Sequence, residues 1–430
     1  MLFKNILSYA ASNGIQRAIS FLASLLLLRT YNSSEVGEYV LIQTIAQLMI
    51  PLATLNVTVA LTREASANVF RTVELLKRIN IAVLLVFTLA TLAYSLTGPM
   101  QWVCAAVMLG LSEALYNALT AFLMGRENSA KVLRIALIRV SVFLVLLLAT
   151  YFKWMTIIQL VSVFAGLLVF LSTVAISSIV RRVHNSERLR ARSNITIRTM
   201  YGYSVATLPH TAALWFSVSS DRAILGALTG KAAVGQYAIS FTLAQSVMVL
   251  LAGVISAIPP RIIKDIDFWK SHINIVKFVK KIAILSLLIN IFAMFIFYLN
   301  NQYLNIVPHS SSIDIITLSI IGSGYFISLF YVLYASYLYQ QRNTDALSWM
   351  GFGLLPLNVG IIYTLVLFFG KIGAATGIMV SYACFGGAYG WAAVRLVPEL
   401  RASVVPLALI SVGQILGSLV FALFLLSMAN

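Results

Sequence analysis

The sequence predicts an all-α polytopic membrane protein: two parallel six-helix bundles related by a pseudo-twofold along the membrane normal, with a C-terminal segment as a thirteenth span. Three observations predict it. The chain of 430 residues is 60% hydrophobic and only 10% charged, against about 25% charged in an ordinary soluble domain. Its apolar residues come in continuous runs of about 20, the helix length that crosses about 30 Å of hydrocarbon. Its cations crowd into alternate inter-span loops. A soluble single-core fold and a secreted disulfide scaffold are excluded. So is an outer-membrane barrel, whose strands alternate apolar and polar residues over about 10 positions.

The predicted spans, in order, are Ser8–Leu28, Glu38–Leu61, Ile79–Leu96, Gln101–Met124, Ile135–Phe152 and Met155–Val180. After a basic linker come Tyr203–Leu228, Val234–Ile258, Ile282–Leu299, Ile313–Tyr339, Leu347–Phe369 and Ile372–Val394, then Val404–Met428. Only Lys4 precedes the first run and no small-residue cleavage site follows it, so it reads as a span and not as a removed signal peptide. Tyr94, Trp102, Tyr151 and Trp154 fall at outer span ends, where aromatic belts form.

The net charge is +17, from 30 Lys and Arg against 13 Asp and Glu. With the N-terminus inside, 23 of the 30 cations fall in inward loops, four (Arg29, Lys153, Lys231, Lys371) in outward loops, and three within spans. That is the positive-inside pattern, loop by loop. The basic excess is then an insertion signal and an attraction to anionic membrane lipid, and needs no nucleic acid. The long loops, Arg181–Arg198 and Pro259–Lys281, are both inward and basic, whereas the longest outward loop is only Asn300–Ser312. Cys104 and Cys384 sit inside apolar segments, with neither disulfide nor metal-ligand spacing, and read as packing residues.

An internal repeat divides the chain. Val36–Gln47 (VGEYVLIQTIAQ) and Val234–Gln245 (VGQYAISFTLAQ) match at six of twelve positions at an offset of 198. The offset maps the first span on the seventh and the second on the eighth. Six spans per half is an even number, so both halves enter the membrane in the same sense. Parallel repeats are a common transporter plan, with the substrate site near the midplane between them. The expected organisation is residues 1–198 as the first bundle with its linker, 199–398 as the second, and 399–430 as the added segment.

Charges inside spans cost about 2.5–3.5 kcal/mol each on insertion scales, so they face a wet cavity or a partner. Arg17, Arg139 and Arg222 stand at middle, inner and outer depths, and a diphosphate crossing the membrane would meet a planar, permanently charged guanidinium at each. The structural readings stand beside that one: Arg17 paired with Glu113, Arg139 snorkelling to the inner surface, Arg222 to the outer. Asp221 and Arg222, as helix neighbours, point in different directions and are not a ready pair. Glu113 and Asp221 are the carboxylates placed for ion coupling, and His210 reads as a hydrogen-bonded packing histidine. Gln43 and Gln47, with Gln245 from the other half, present amides to sugar hydroxyls or to neighbouring helices. Tyr331 and Tyr334, with Tyr337, stack on sugar rings or pack a helix face. No phosphate-binding loop, dinucleotide fingerprint or metal-spaced cluster is present, so neither catalysis, cofactor nor metal is expected.

The run Asp221–Gly226 (DRAILG) followed by Val234-Gly235-Gln236-Tyr237 resembles the seventh-to-eighth-span signature of Wzx-type polysaccharide flippases, of the multidrug/oligosaccharidyl-lipid/polysaccharide exporter superfamily. Arg29 and Glu35-Val36-Gly37-Glu38-Tyr39 echo it in the first half. Gly373-Ala374-Ala375 through Ser381 resembles the start of the family's twelfth span, and Gly125-Arg126-Glu127 its loop after the fourth. The resemblance implies a flippase of the bacterial inner membrane that moves undecaprenyl-diphosphate-linked oligosaccharide, such as an O-antigen unit, to the periplasmic leaflet by alternating access. It implies a cationic lumen onto which Arg17 and Arg222 map, and pathway partners such as a polymerase and chain-length proteins. Val404–Met428 departs from the twelve-span pattern. The other transporter reading is an ion-coupled antiporter of the same superfamily that exports a small molecule or drug. A polymerase or ligase is disfavoured by the short outward loops.

Overall fold

The computed structural model describes residues 15, 19, 22–24, 26–65, 68–96, 98, 100–126, 128–184, 195–264, 271–299, 313–340 and 344–429. Among them every regular element is helical. The helices are α1 Ser33–Thr54, α2 Thr58–Glu64, α3 Val69–Leu96, α4 Gln101–Gly125, α5 Ser129–Tyr151 and α6 Ile157–His184. They continue as α7 Ile197–Thr229, α8 Lys231–Lys264, α9 His272–Leu299, α10 Ile313–Gln340, α11 Thr344–Leu396 and α12 Arg401–Ala429. Nine candidate spans among the described residues are long and apolar enough to cross a membrane. α7 and α8, at 33 and 34 residues, are also long enough at 1.5 Å per residue. Leu85, Leu89, Phe170, Phe368 and Leu423 lie exposed on outer faces, where a soluble protein would place polar groups. This is a multi-pass membrane protein.

Local chemistry sets the helix starts. Asn32 and Glu35 form a reciprocal capping box at α1, with Glu35 N–H donating to Asn32 Oδ1 (2.9 Å) and Asn32 N–H to Glu35 Oε2 (3.2 Å). Thr156 and Gln159 do the same at α6, and Asn128 caps α5 by accepting from Lys131 N–H.

The second predicted span is broken. Pro51 lies inside α1, and Leu55 and Asn56 adopt φ of 48° and 56° before α2 begins. Asn tolerates this left-handed region, and its buried amide donates to Thr207 Oγ1 (2.9 Å) and Thr211 Oγ1 (3.0 Å) on α7. The eleventh and twelfth predicted spans are both present, as the two helical arms of α11, which meet at a non-helical turn at Gly370 (φ 53°, ψ −124°). Only glycine holds such a conformation without strain, which costs about 1–3 kcal/mol for other residues. Gly370→Ala is therefore expected to lower the unfolding midpoint in detergent, although no neighbouring atom obstructs its methyl group.

The chain divides into two compact units, one of Met1–Ile19 and Leu41–Trp215, the other of Ser20–Val40 and Phe216–Asn430. Each is built around one buried helix. In the first, 72% of the apolar window of α4 is buried, and in the second, 89% of that of α10. Small residues permit this. Gly110 lets α4 approach the backbone of Ala46, and a Cβ at Gly324 of α10 would lie only 3.2 Å from the Cα of Met379 on the second arm of α11. α4 and α10 correspond to the fourth predicted span of each half. The thirteenth predicted segment is α12, which packs on α9 and α10. There Asn290 Nδ2 donates to Ser418 Oγ at 3.1 Å. Of the first predicted span only residues 15, 19, 22–24 and 26–28 are described.

Candidate functional site: buried ion pairs in each unit

In the second unit α7 carries a buried charge cluster. Asp221 is fully enclosed and Arg222 is 4% exposed. Arg222 Nε lies 3.4 Å from Asp221 Oδ1, and Tyr237 Oη on α8 donates to Asp221 Oδ2 at 2.8 Å. The guanidinium carbon stands 4.3 Å from the ring centroid of Phe241, whose ring in turn meets Tyr325 of α10 edge-on at 6.2 Å. Two expectations are corrected here. Arg222 does not snorkel to the surface, and the helix neighbours do pair. The arginine side chain is long enough to fold back onto the carboxylate of the preceding residue, and the low dielectric of a bilayer interior rewards the contact. An isolated charge at this depth would be costlier.

In the first unit Glu113 of α4 binds Arg139 of α5, with Nη2 2.5 Å from Oε1. The guanidinium also lies 4.6 Å over the Tyr116 ring. Arg139 therefore turns inward and does not snorkel, and the partner of Glu113 is Arg139 rather than Arg17. Arg17 lies outside the described residues. The two described cations of the expected arginine series thus each sit on a carboxylate.

A second fully buried carboxylate was not singled out from the sequence. Asp314, at the start of α10, is fully buried and accepts from Lys371 Nζ at 2.9 Å. The same ammonium donates to Gln236 Oε1 at 3.3 Å. The sequence places Lys371 in an outward loop. It follows the Gly370 bend, which carries it onto α10 and α8. Lys231, another loop cation, donates to Glu38 Oε1 at 3.0 Å. Opposite charges at predicted span ends were the available signal, but nothing in the sequence specifies which ends meet.

The residues proposed for sugars behave differently from one another. Gln43 is half-buried and Gln47 exposed on α1, in the first unit, and Gln245 is half-buried on α8, in the second. Tyr331 packs edge-on against Phe385 (5.7 Å) and Tyr389 (5.2 Å) of α11. Tyr334 is buried, with its ring against Gly390, at the edge of an apolar hollow of about 500 Å³ beside Trp391 and Leu407. Tyr337 is fully enclosed. The tyrosine row packs α10 against α11. Among the described residues no His/Cys/Asp/Glu group could hold a metal ion.

No protein-family model matches the sequence, and no curated protein does. The fold, by contrast, is shared with solved transporters. A MATE transporter crystallised in complex with MaL6 superposes with a TM-score of 0.62 at 12% identity, over 93% of this chain and 97% of that one. A point mutant of the Vibrio cholerae MATE transporter VcmN gives 0.60 at 14% identity, over 94% and 98%. A Pyrococcus furiosus transporter of the MOP superfamily, whose binding pocket is described as reversed in polarity and suggestive of a different function, gives 0.60 at 12% identity, over 93% and 96%. The chain has the two-bundle helical fold of MATE-type transporters.

Proposed function

We propose that this chain is an ion-coupled carrier that exports an amphiphilic small molecule by alternating access, with Asp221 and Glu113 as its coupling groups. The observation that carries the reading is the pairing of both described intramembrane arginines with titratable carboxylates. A phosphate-bearing substrate would have to compete with Asp221 and Glu113 for those guanidinium groups, whereas a neutral or cationic amphiphile would not. Protonation of Asp221 would discharge its pair and leave Arg222 held by the Phe241 face. That is a switch between two packings of α7, α8 and α10, of the kind a gradient can bias. The solved transporters of the same fold support export, one of them being described as a multidrug resistance transporter.

A second reading, the flippase of diphosphate-linked oligosaccharide, is favoured by the DRAILG and VGQY runs. The two separate in proteoliposomes. Under an imposed pH or sodium gradient, the carrier is expected to move a fluorescent organic cation outward, and Asp221→Asn to abolish the gradient dependence while the protein still folds. Gradient-independent translocation of a prenyl-diphosphate oligosaccharide, with no cation efflux, would overturn the antiporter in favour of the flippase.

A further inference from the structure

The first unit holds a basic crevice that neither transport reading uses. It opens where α4 ends, α5 begins and α6 ends, around a hollow of about 400 Å³. Arg126 follows α4, Lys131 and Arg134 lie in the first turns of α5, and Arg182 lies in the last turn of α6. All four are exposed, and among the described residues none is engaged by a carboxylate. Glu127, beside Arg126 in the sequence, lies outside the described residues; counted in full it would still leave the rim strongly positive.

Beneath the rim the chemistry changes. Leu119, Phe122 and Ile179 line the floor. A narrower slot of about 180 Å³ continues from it between α5 and α6, sharing Ile135, Ala175 and Ser178 with the hollow. Two of its walls, Ile138 and Val174, are themselves exposed, at 44% and 53%. The slot therefore opens sideways onto the face that lies in the bilayer. A soluble anion would need the rim alone. A cationic rim above a lateral apolar slot suits a ligand with a phosphate head and a hydrocarbon tail.

We propose that this crevice binds one anionic glycerophospholipid of the leaflet that the charge distribution assigns to the cytoplasm. Its phosphate sits among Arg126, Lys131, Arg134 and Arg182, and one acyl chain occupies the slot between α5 and α6. Guanidinium forks bind phosphate oxygens in pairs, and basic pockets between membrane helices on this side suit lipid headgroups. Mass action favours the bulk lipid over any scarce lipid-linked substrate, because a site open to the bilayer equilibrates with what surrounds it. Arg139 is one of the side chains lining the slot, so the tail would run beside the guanidinium that Glu113 holds.

The inference goes beyond the carrier reading, and its readout needs no transport. The full chain is placed in nanodiscs of phosphatidylcholine with a small fraction of phosphatidylglycerol, and retained lipids are counted by native mass spectrometry. Wild type is expected to retain phosphatidylglycerol preferentially, and Arg134→Gln with Arg182→Gln to lower that retention at least fivefold. Arg181→Gln, which removes a neighbouring charge outside the crevice, is expected to leave it unchanged. Ala175→Phe, which fills the slot and keeps all four cations, is expected to lower retention as well, and serves if the double variant does not fold. Equal loss in the Arg181 control, or full retention in Ala175→Phe, overturns the proposal. So does preference for a prenyl diphosphate over phosphatidylglycerol at equal fractions, which would make the crevice a substrate entry.

Discussion

Gly235→Leu is expected to abolish recovery of monodisperse folded protein, and Gly235→Ala alone to lower the unfolding midpoint clearly. The two repeat motifs meet in space. A Cβ on Gly235 would overlap the backbone carbonyl of Ser33, and a Cβ on Gly37 would overlap that of Lys231. Ser33 and Lys231 are themselves equivalent at the repeat offset of 198, as Gly37 and Gly235 are. The starts of α1 and α8 therefore cross through a reciprocal glycine contact, locked on one side by the Glu38–Lys231 ion pair. Because the obstacle is main chain, it cannot rotate away, and overpacking costs about 1–3 kcal/mol or more. Gly98→Leu supplies the control, since nothing lies within 4 Å of its would-be Cβ. Size-exclusion profiles and thermal unfolding in detergent separate the two; a Gly235→Ala protein as stable as wild type would mean that the helices do not cross this closely.

That contact explains why the Val-Gly-x-Tyr run was legible as a repeat: both copies meet the same steric demand. The spans were legible for a comparable reason. Hydrocarbon imposes length and apolarity residue by residue, so α4, α6, α10, the two arms of α11 and α12 fall where hydropathy places them, whereas α3 and α9 begin ten residues before the predicted starts. The break at Asn56 was not legible, because Pro51 alone permits either a kinked or an interrupted helix, and the choice depends on Thr207 and Thr211, some 150 residues away. The site was half legible. Arg139, Arg222, Glu113 and Asp221 declared themselves as charges out of place in apolar runs. Their partners did not, because pairing is set by how helices rotate against one another. Tyr237 shows the gap: it was visible as a repeat match, yet its hydroxyl on Asp221 depends on the rotation of α8 against α7.

Arg222→Met is expected to destabilise the protein by about 3–5 kcal/mol, because it leaves the Asp221 carboxylate buried without its cation. Asp221→Asn removes the carboxylate and leaves the guanidinium over the Phe241 ring, and is expected to cost less. The double variant Asp221→Asn with Arg222→Met removes both charges, and most of the loss is expected to return, with a coupling of about 3 kcal/mol or somewhat more in a double-mutant cycle. Tyr237→Phe removes one charge-assisted hydrogen bond and is expected to cost about 1.5–3 kcal/mol. Denaturant unfolding in micelles reads all four. The cycle also bears on function. If the cluster only holds α7 to α8, the charge-free double variant should fold and transport with its gradient dependence intact. If Asp221 carries the coupling ion, the same well-folded protein should have lost that dependence, so stability and coupling would part in a single molecule.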